Sequence, residues 1–404
     1  MANREASRGM SNLYIGLMSG TSLDGVDGVL ADFSGTPLKV VAHAYTPFSP
    51  TLRGELLALN TSGSDELHRA ALAANALARA YASVVSDLLL KTSVDPKTVV
   101  AIGAHGQTVR HRPQEFDVDA SQNAAGGYTL QLNNPSLLAE LTHIDVVADF
   151  RSRDVAAGGQ GAPLVPAFHQ AIFGSVQGSL AVLNIGGISN VTLLDADSGL
   201  GQGVSGFDCG PGNALMDHWC QIHTGQAFDA GGQWAARGQV HTDLLAKLLD
   251  EPYFSKPPPK STGRDLFNVP WLARQLITFA HVSPVDVQAT LTELTARVCA
   301  KSVTSQLTFA LTSAITSPLA SKTKGPKKLI VCGGGALNLH LMTRLAAVSG
   351  LSVESSQHHG LPPMQVEAAA FAWLAHQRVR LEKGNLPKVT GAQGARILGA
   401  IYPA

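Results

Sequence analysis

Four cysteines in 404 residues is few, and Cys209, Cys220, Cys299 and Cys332 stand far apart with no C-x-x-C pair. A disulfide framework or a structural zinc site is therefore excluded as the organising principle, and a reducing compartment fits. Net charge is lacking too: 30 basic residues balance 30 acidic ones, and charged residues make up only 15% of the chain. No basic field exists to hold nucleic acid or an anionic membrane, so any anionic ligand must be held locally by a built site. Long apolar runs are also missing. The Ala/Leu-rich stretch 67–90 is broken by Arg69, Asn75, Arg79, Ser86 and Asp87, and reads as an amphipathic helix rather than a membrane span. The N-terminus is polar and flows straight into the first strand, so no signal peptide is expected and the expected location is cytoplasmic.

What is present is glycine and a hydrophobic fraction of 45%, with the 40 glycines spread along the chain rather than pooled in linkers. That suits a turn-rich α/β protein, and the length allows two domains. The stretch 13–33 sets the theme. Apolar residues flank a polar loop, which predicts a β-hairpin with Gly20 and Gly25 at its tip. Hydroxyls at Ser19, Thr21 and Ser22, and carboxylates at Asp24 and Asp27, crowd that tip. Small donors on a glycine turn can wrap a phosphate, and a nearby aspartate can hold its magnesium; a solvated turn is the plainer alternative.

The chain then repeats itself. A strand over 38–47, helices from 52 to 91, and a strand from Thr98 into the turn at His105 are followed by a helix over 135–142 and a strand over 145–150. From Leu180 the order restarts: hairpin with a Gly-Gly tip, a glycine turn at 207–213 entering a helix over 214–224, helical segments at 242–250 and 284–310, and a strand from 327 into Gly333-Gly-Gly335. This predicts a structural duplication, two α/β lobes facing one another across a cleft, divided as 1–145 and 146–404 with the C-terminal tail packing back on the first lobe. The stretches 114–128 and 313–327 read as surface loops. A Walker loop is excluded, because Gly20-x-x-x-x-Gly25 is followed by Val26-Asp27 rather than Lys-Ser. Gly333–Gly335 is no dinucleotide loop, since no βαβ unit follows it; the choice there is between a ligand loop and a helix-packing turn.

Seven stretches carry a resemblance. They are Gly16-Leu-Met-Ser-Gly-Thr-Ser-Leu-Asp-Gly-Val-Asp27, Ala104-His-Gly-Gln-Thr108, Asp149-Phe-Arg-Ser-Arg-Asp-Val-Ala-Ala-Gly-Gly-Gln-Gly-Ala-Pro-Leu164, Asn184-Ile-Gly-Gly-Ile-Ser-Asn190, Gly206-Phe-Asp-Cys-Gly-Pro-Gly-Asn213, Val331-Cys-Gly-Gly-Gly-Ala-Leu-Asn338 and Glu367-Ala-Ala-Ala-Phe-Ala-Trp-Leu374. In order and across nearly the whole chain, they resemble the anhydro-N-acetylmuramic acid kinases, bacterial enzymes of cell-wall recycling within the actin, hexokinase and heat-shock ATPase superfamily. The superfamily's D-x-G is absent, with Gly16 where its aspartate is expected.

The resemblance implies a ribonuclease H-like ATPase fold, ATP and magnesium as cofactors, and a homodimer. It implies that Gly20, Thr21, Ser22, Leu23, Asp24, Gly25, Val26 and Asp27 clasp the β- and γ-phosphates. Gly186, Gly187, Ser189 and Asn190 would meet them from the other lobe, with Gly333, Gly334 and Gly335 under the adenosine. Magnesium falls to Asp24 or Asp27, with Asp208 holding it through water. Asp154, by its own sequence a helix cap or ion-pair partner, becomes the general base. His105, Gln107 and Glu367 line the sugar site, and Arg151 or Arg153 pairs with the lactyl carboxylate. The implied activity is ATP-dependent hydrolysis of the 1,6-anhydro bond with phosphorylation of O6. An ordinary hexose or amino-sugar kinase of the same fold, and a nucleotide-gated binding protein, are the alternatives.

Overall fold

The computed structural model describes residues 11–20, 22–113, 127–174, 179–194, 203–258, 260–263, 266–314 and 328–404, with backbone alone over 305–314. Thr21, most of the 114–128 stretch and all but the start of 313–327 lie outside the described residues. The chain forms two compact units, one of residues 1–172 with 365–404 and the other of residues 173–364. The expected boundary at 145 is therefore moved. Strand β7 (Val146–Ala148) cannot leave the first unit because it pairs in parallel with β4 (Val99–Ala104), and the C-terminal strand β13 (Ala400–Tyr402) pairs with β7 in turn. The tail, residues 365–404, belongs to the first unit.

In the first unit β1 (Leu13–Met18), β2 (Gly25–Asp32) and β3 (Lys39–Pro47) form an antiparallel meander, and β4 and β7 extend it in parallel beyond β1. Alternation sorts the side chains. Ile15 and Leu17 of β1 join Leu77, Tyr81, Val84 and Leu88 of the helix Glu66–Thr92 on one face. Tyr14, one residue out of phase, joins Phe371, Ala372 and Ala375 of the helix Val366–Val379 on the other. Each helix offers apolar residues three or four apart, as a face packed on a sheet requires. A separate ribbon of β5 (Gln107–Arg112) and β6 (Tyr128–Leu132) leaves the end of β4.

The second unit repeats this plan. β8 (Leu180–Ile185), β9 (Ile188–Leu194) and β10 (Val204–Pro211) make the meander, and β11 (Lys328–Cys332) and β12 (Ser352–Ser355) extend it in parallel beyond β8. Strand order is thus third, second, first, fourth, fifth in both sheets, with the same sense at every pairing. The duplication read from the glycine pattern is present as two α/β units whose sheets share one strand order. The helix Pro284–Ala314 fills the core of this unit with Val287, Leu291, Leu294 and Val298. All four cysteines are buried thiols. Among the described residues no helix is long and apolar enough to cross a membrane.

Three histidines of the first unit refuse protons. Burial pushes His169 down to about 3, burial and then the Arg151 charge push His111 down to about 4, and the same two causes hold His105 well below 6.5. Each folded-state value lies below the unfolded one, so the unfolded chain binds more protons between them. The stability they contribute is full above pH 6.5 and is lost as pH falls. Each costs about 1.4 kcal/mol per pH unit over that window. Melting temperature measured from pH 7.5 down to 4.5 should fall, and His169→Gln should flatten the slope by one histidine's worth. An unchanged slope in that variant would contradict the burial argument.

Candidate active site

In the first unit, the loop from β1 to β2 meets the turn after β4. Ser19 Oγ donates to Gly106 O at 3.2 Å and lies 3.0 Å from the Tyr81 hydroxyl, which accepts from Gly106 N at 3.1 Å. Gln107 Nε2 donates to Gly20 O at 3.1 Å. The two loops are therefore held as one structure by a buried tyrosine, whose hydroxyl burial pushes far above its usual range. Leu23 takes the left-handed conformation with φ 56° and buries its side chain, as Val26 does. Those two expected phosphate ligands have only backbone to offer. Asp24 is exposed and its Oδ1 accepts from Ser22 Oγ at 2.5 Å and Gly25 N at 3.1 Å. Asp27 Oδ1 lies 3.0 Å from His43 Nε2.

His105 sits at the end of β4, its ring 4.6 Å from that of Phe371. Arg151 Nε and Nη2 both donate to its Nε2, at 3.1 and 2.9 Å. A nitrogen that accepts twice from a guanidinium carries no proton, so the ring is neutral with hydrogen on Nδ1. Burial and then the Arg151 charge favour that state, against a smaller opposing effect of the Ser19 and Gly106 carbonyls. Among the described residues His105 Nδ1 and Gln107 Oε1 are buried without hydrogen-bond partners. One buried donor and one buried acceptor, on residues 105 and 107, thus lack a protein partner, which fits a polar ligand such as a sugar.

Arg151 also donates from Nη1 to Gly161 O at 2.8 Å, so all three of its nitrogens serve the protein. Arg153 is exposed and lines a shallow hollow with Asp149, Ser152 and Arg378. Its neighbour Asp154, on the single-turn helix Ser152–Val155, is wholly buried. Arg153 thus faces solvent while Asp154 beside it is enclosed. Glu367 lies half-buried in the first turn of the helix Val366–Val379, one turn before Phe371.

In the second unit, the Gly186-Gly187 loop between β8 and β9 is covered by the segment entering the helix Ala214–Thr224. Gly186 O accepts from Asn213 N at 2.8 Å and Gly187 O from Gly212 N at 2.9 Å. Asn184, Asn190 and Asp208 are register partners across β8, β9 and β10, which puts their side chains on one face as a polar row. Asn184 was not among the expected site residues, although a polar residue inside an otherwise apolar strand was the available signal. Ser189, one position from Asn190, faces the opposite way. It is buried, donates to Gly210 O at 3.1 Å and accepts from Cys299 Sγ at 3.3 Å, so its hydroxyl serves the core rather than a phosphate. Asp208 lies in a strand, not in the turn expected for it, and its Oδ2 accepts from Thr262 N at 3.0 Å.

Against this geometry stands the family comparison: the model of the family described as anhydro-N-acetylmuramic acid kinase matches residues 12–404. The chain belongs to the anhydro-N-acetylmuramic acid kinase family. It is 63% identical over 394 residues to the "Anhydro-N-acetylmuramic acid kinase" of Variovorax paradoxus strain S110, covering 97% of this chain and 99% of the relative. It is 61% identical over 414 residues to the protein so named in Albidiferax ferrireducens strain T118, covering 98% and 100%. A third so named, from Cupriavidus metallidurans strain CH34, is 54% identical over 401 residues, covering 98% of this chain and 99% of the relative. The enzyme is a sugar kinase.

A kinase of this family needs backbone to approach phosphate closely, and the glycines divide on that point. A Cβ on Gly20 would find no protein atom nearer than 3.6 Å, and one on Gly186 none nearer than 3.6 Å. Both have ordinary backbone conformations and packing does not demand glycine at either, so the main chain is open to close approach there. Gly333 and Gly335 differ. A Cβ there would stand 2.5 Å from Asn184 Oδ1 and 2.4 Å from Ile185 Cγ2, so close packing against β8 accounts for both. Only Gly334 of that trio opens outward, with Asn213 Nδ2 at 3.4 Å as its nearest neighbour. Among the described residues no cluster of three metal-binding side chains exists.

Proposed function

We propose that the enzyme hydrolyses the 1,6-anhydro bond of 1,6-anhydro-N-acetylmuramic acid and phosphorylates O6, using ATP and producing N-acetylmuramic acid 6-phosphate and ADP. The observation that carries this reading is the family match along residues 12–404, with relatives of that name at up to 63% identity. The place of such a reaction is the recycling of peptidoglycan in the cytoplasm, where ATP is present. A homodimer goes with the reading by resemblance.

In this reading Asp154 is the general base. It takes one proton from a water whose oxygen bonds to the anomeric carbon; the bond from that carbon to O6 breaks. O6 then bonds to the γ-phosphorus as the bond to the ADP oxygen breaks. His105 Nδ1 donates to the sugar and Gln107 Oε1 accepts from it, the two buried groups otherwise left open. Arg151 fixes the His105 tautomer, and by the same contact is placed to orient the sugar rather than to spend its charge on the lactyl carboxylate alone. Glu367 hydrogen-bonds a sugar hydroxyl. Gly20, Gly186 and Gly334 give backbone access to the nucleotide, with Ser22, Gly187 and Asn190 beside them. Asp24, Asp27 and Asp208 would hold magnesium, which when bound neutralises phosphate charge and leaves positioning as the protein's main task.

Mass spectrometry of product formed in oxygen-18 water, quenched before the anomeric hydroxyl exchanges, tests the coupling. The expected product is a phosphosugar with one heavy oxygen. A phosphosugar without label, or phosphorylation of open amino sugars only, would instead indicate a conventional sugar kinase.

A further inference from the structure

Asp154 is held by residues from the far end of the chain. Asn385 Nδ2 donates to its Oδ1 at 2.5 Å and Thr390 Oγ1 to the same oxygen at 2.8 Å, across 231 and 236 residues of sequence. Oδ2 accepts from Gly161 N at 2.8 Å. A carboxylate has about four lone-pair sites, two on each oxygen. Both sites of Oδ1 are filled, and one of Oδ2. The donors are themselves fixed. Asn385 Oδ1 accepts from Arg396 N at 2.6 Å, which turns the amide NH₂ toward Asp154, and Thr390 O accepts from Gln160 N at 2.8 Å on the same loop as the carboxylate.

We infer that Asn385 and Thr390 are positioning residues for the reaction: they occupy Oδ1 and present Oδ2 as the oxygen that receives the proton. This rests on the reading of Asp154 as general base. Nothing in the sequence near either residue hints at it, since the contact is made only when the C-terminal segment folds back over the loop Asp154–Gly161. A base held at one oxygen by two donors keeps the other oxygen aimed, which is what near-attack geometry requires. Both residues are buried.

Thr390→Val keeps the shape and removes the donor; Thr390→Ser keeps the donor. We expect Thr390→Val to lower kcat by about tenfold to a hundredfold. KM for sugar and for ATP should stay within about twofold, as for an interaction made only in the transition state. Thr390→Ser should restore most of kcat. In an Asp154→Asn background, Thr390→Val should change kcat by less than about threefold, because groups acting as a unit are not additive. Asn385→Ala is the second variant, read the same way if Thr390→Val does not fold. Full kcat in both donor variants beside an inactive Asp154→Asn would overturn the positioning role and leave the base. An equal loss with and without Asp154 would make the two residues merely structural. Near-normal turnover in Asp154→Asn would remove the base reading and this inference with it.

Discussion

Asparagine at position 154 is expected to cut turnover by about two to four orders of magnitude while nucleotide binding is unchanged. The size follows from what a positioned general base contributes, and the separation from where Asp154 sits. It belongs to the single-turn helix after β7, whereas Gly20, with its main chain open, lies in the turn after β1 of the same unit. The substitution has a second effect that must be controlled. An amide can keep an oxygen toward Asn385 and Thr390, but it then points NH₂ at Gly161 N, where the carboxylate accepted a bond at 2.8 Å. Two donors facing each other in a buried site cost about 1–3 kcal/mol of stability. Melting temperature and ATP affinity should therefore be measured on the same preparation as kcat. A folded, ATP-binding variant within tenfold of the parent's turnover would sink the assignment.

Much of this was legible in the sequence, and the parts that were not share a cause. The helices at 135–142 and 214–224 were readable because Asn-Pro and a glycine turn mark their starts, and the structure gives Pro135–Thr142 and Ala214–Thr224. The duplication was readable because a glycine turn must follow each short buried strand. Ser189 was misjudged through its motif, although period-two alternation puts it in phase with Val191, which is buried in the core. Local pattern thus outranked motif at that position. Gly333 and Gly335 show the reverse limit, since a glycine run does not reveal which members face a ligand and which face Ile185. The pairing of β13 with β7 and the contact of Asn385 and Thr390 with Asp154 had no local signal at all, because tertiary folding alone creates them. The boundary expected at 145 moved because β7 pairs in parallel with β4, a long-range pairing that no local pattern announces.

The second large effect is expected at Gly103. A Cβ there would stand 2.0 Å from Phe371 O and 3.1 Å from Ala375 Cβ, and one at Gly16 would stand 1.9 Å from Ala368 O and 2.6 Å from Ala372 N. Gly16 and Gly103 are register partners on adjacent parallel strands, so together they form a notch in the sheet on which the helix Val366–Val379 lies. This explains the missing aspartate of the first hairpin: at position 16 the helix backbone fills the space that any side chain would need. The opposing atoms are main chain, so no rotamer change relieves the clash and the helix must lift. Gly103→Ala should cost on the order of 3 kcal/mol, the upper end of ordinary overpacking. For a protein unit of this size that lowers the melting temperature by roughly 6–12 °C. The same lift would move Phe371 off His105, so sugar affinity should weaken along with stability. Gly16→Ala should act alike, and the double variant should cost less than the sum, because one displacement of the helix serves both. Calorimetry on the two single variants and the double decides it: strictly additive losses would mean that the strands yield separately and that the notch is not a single seat.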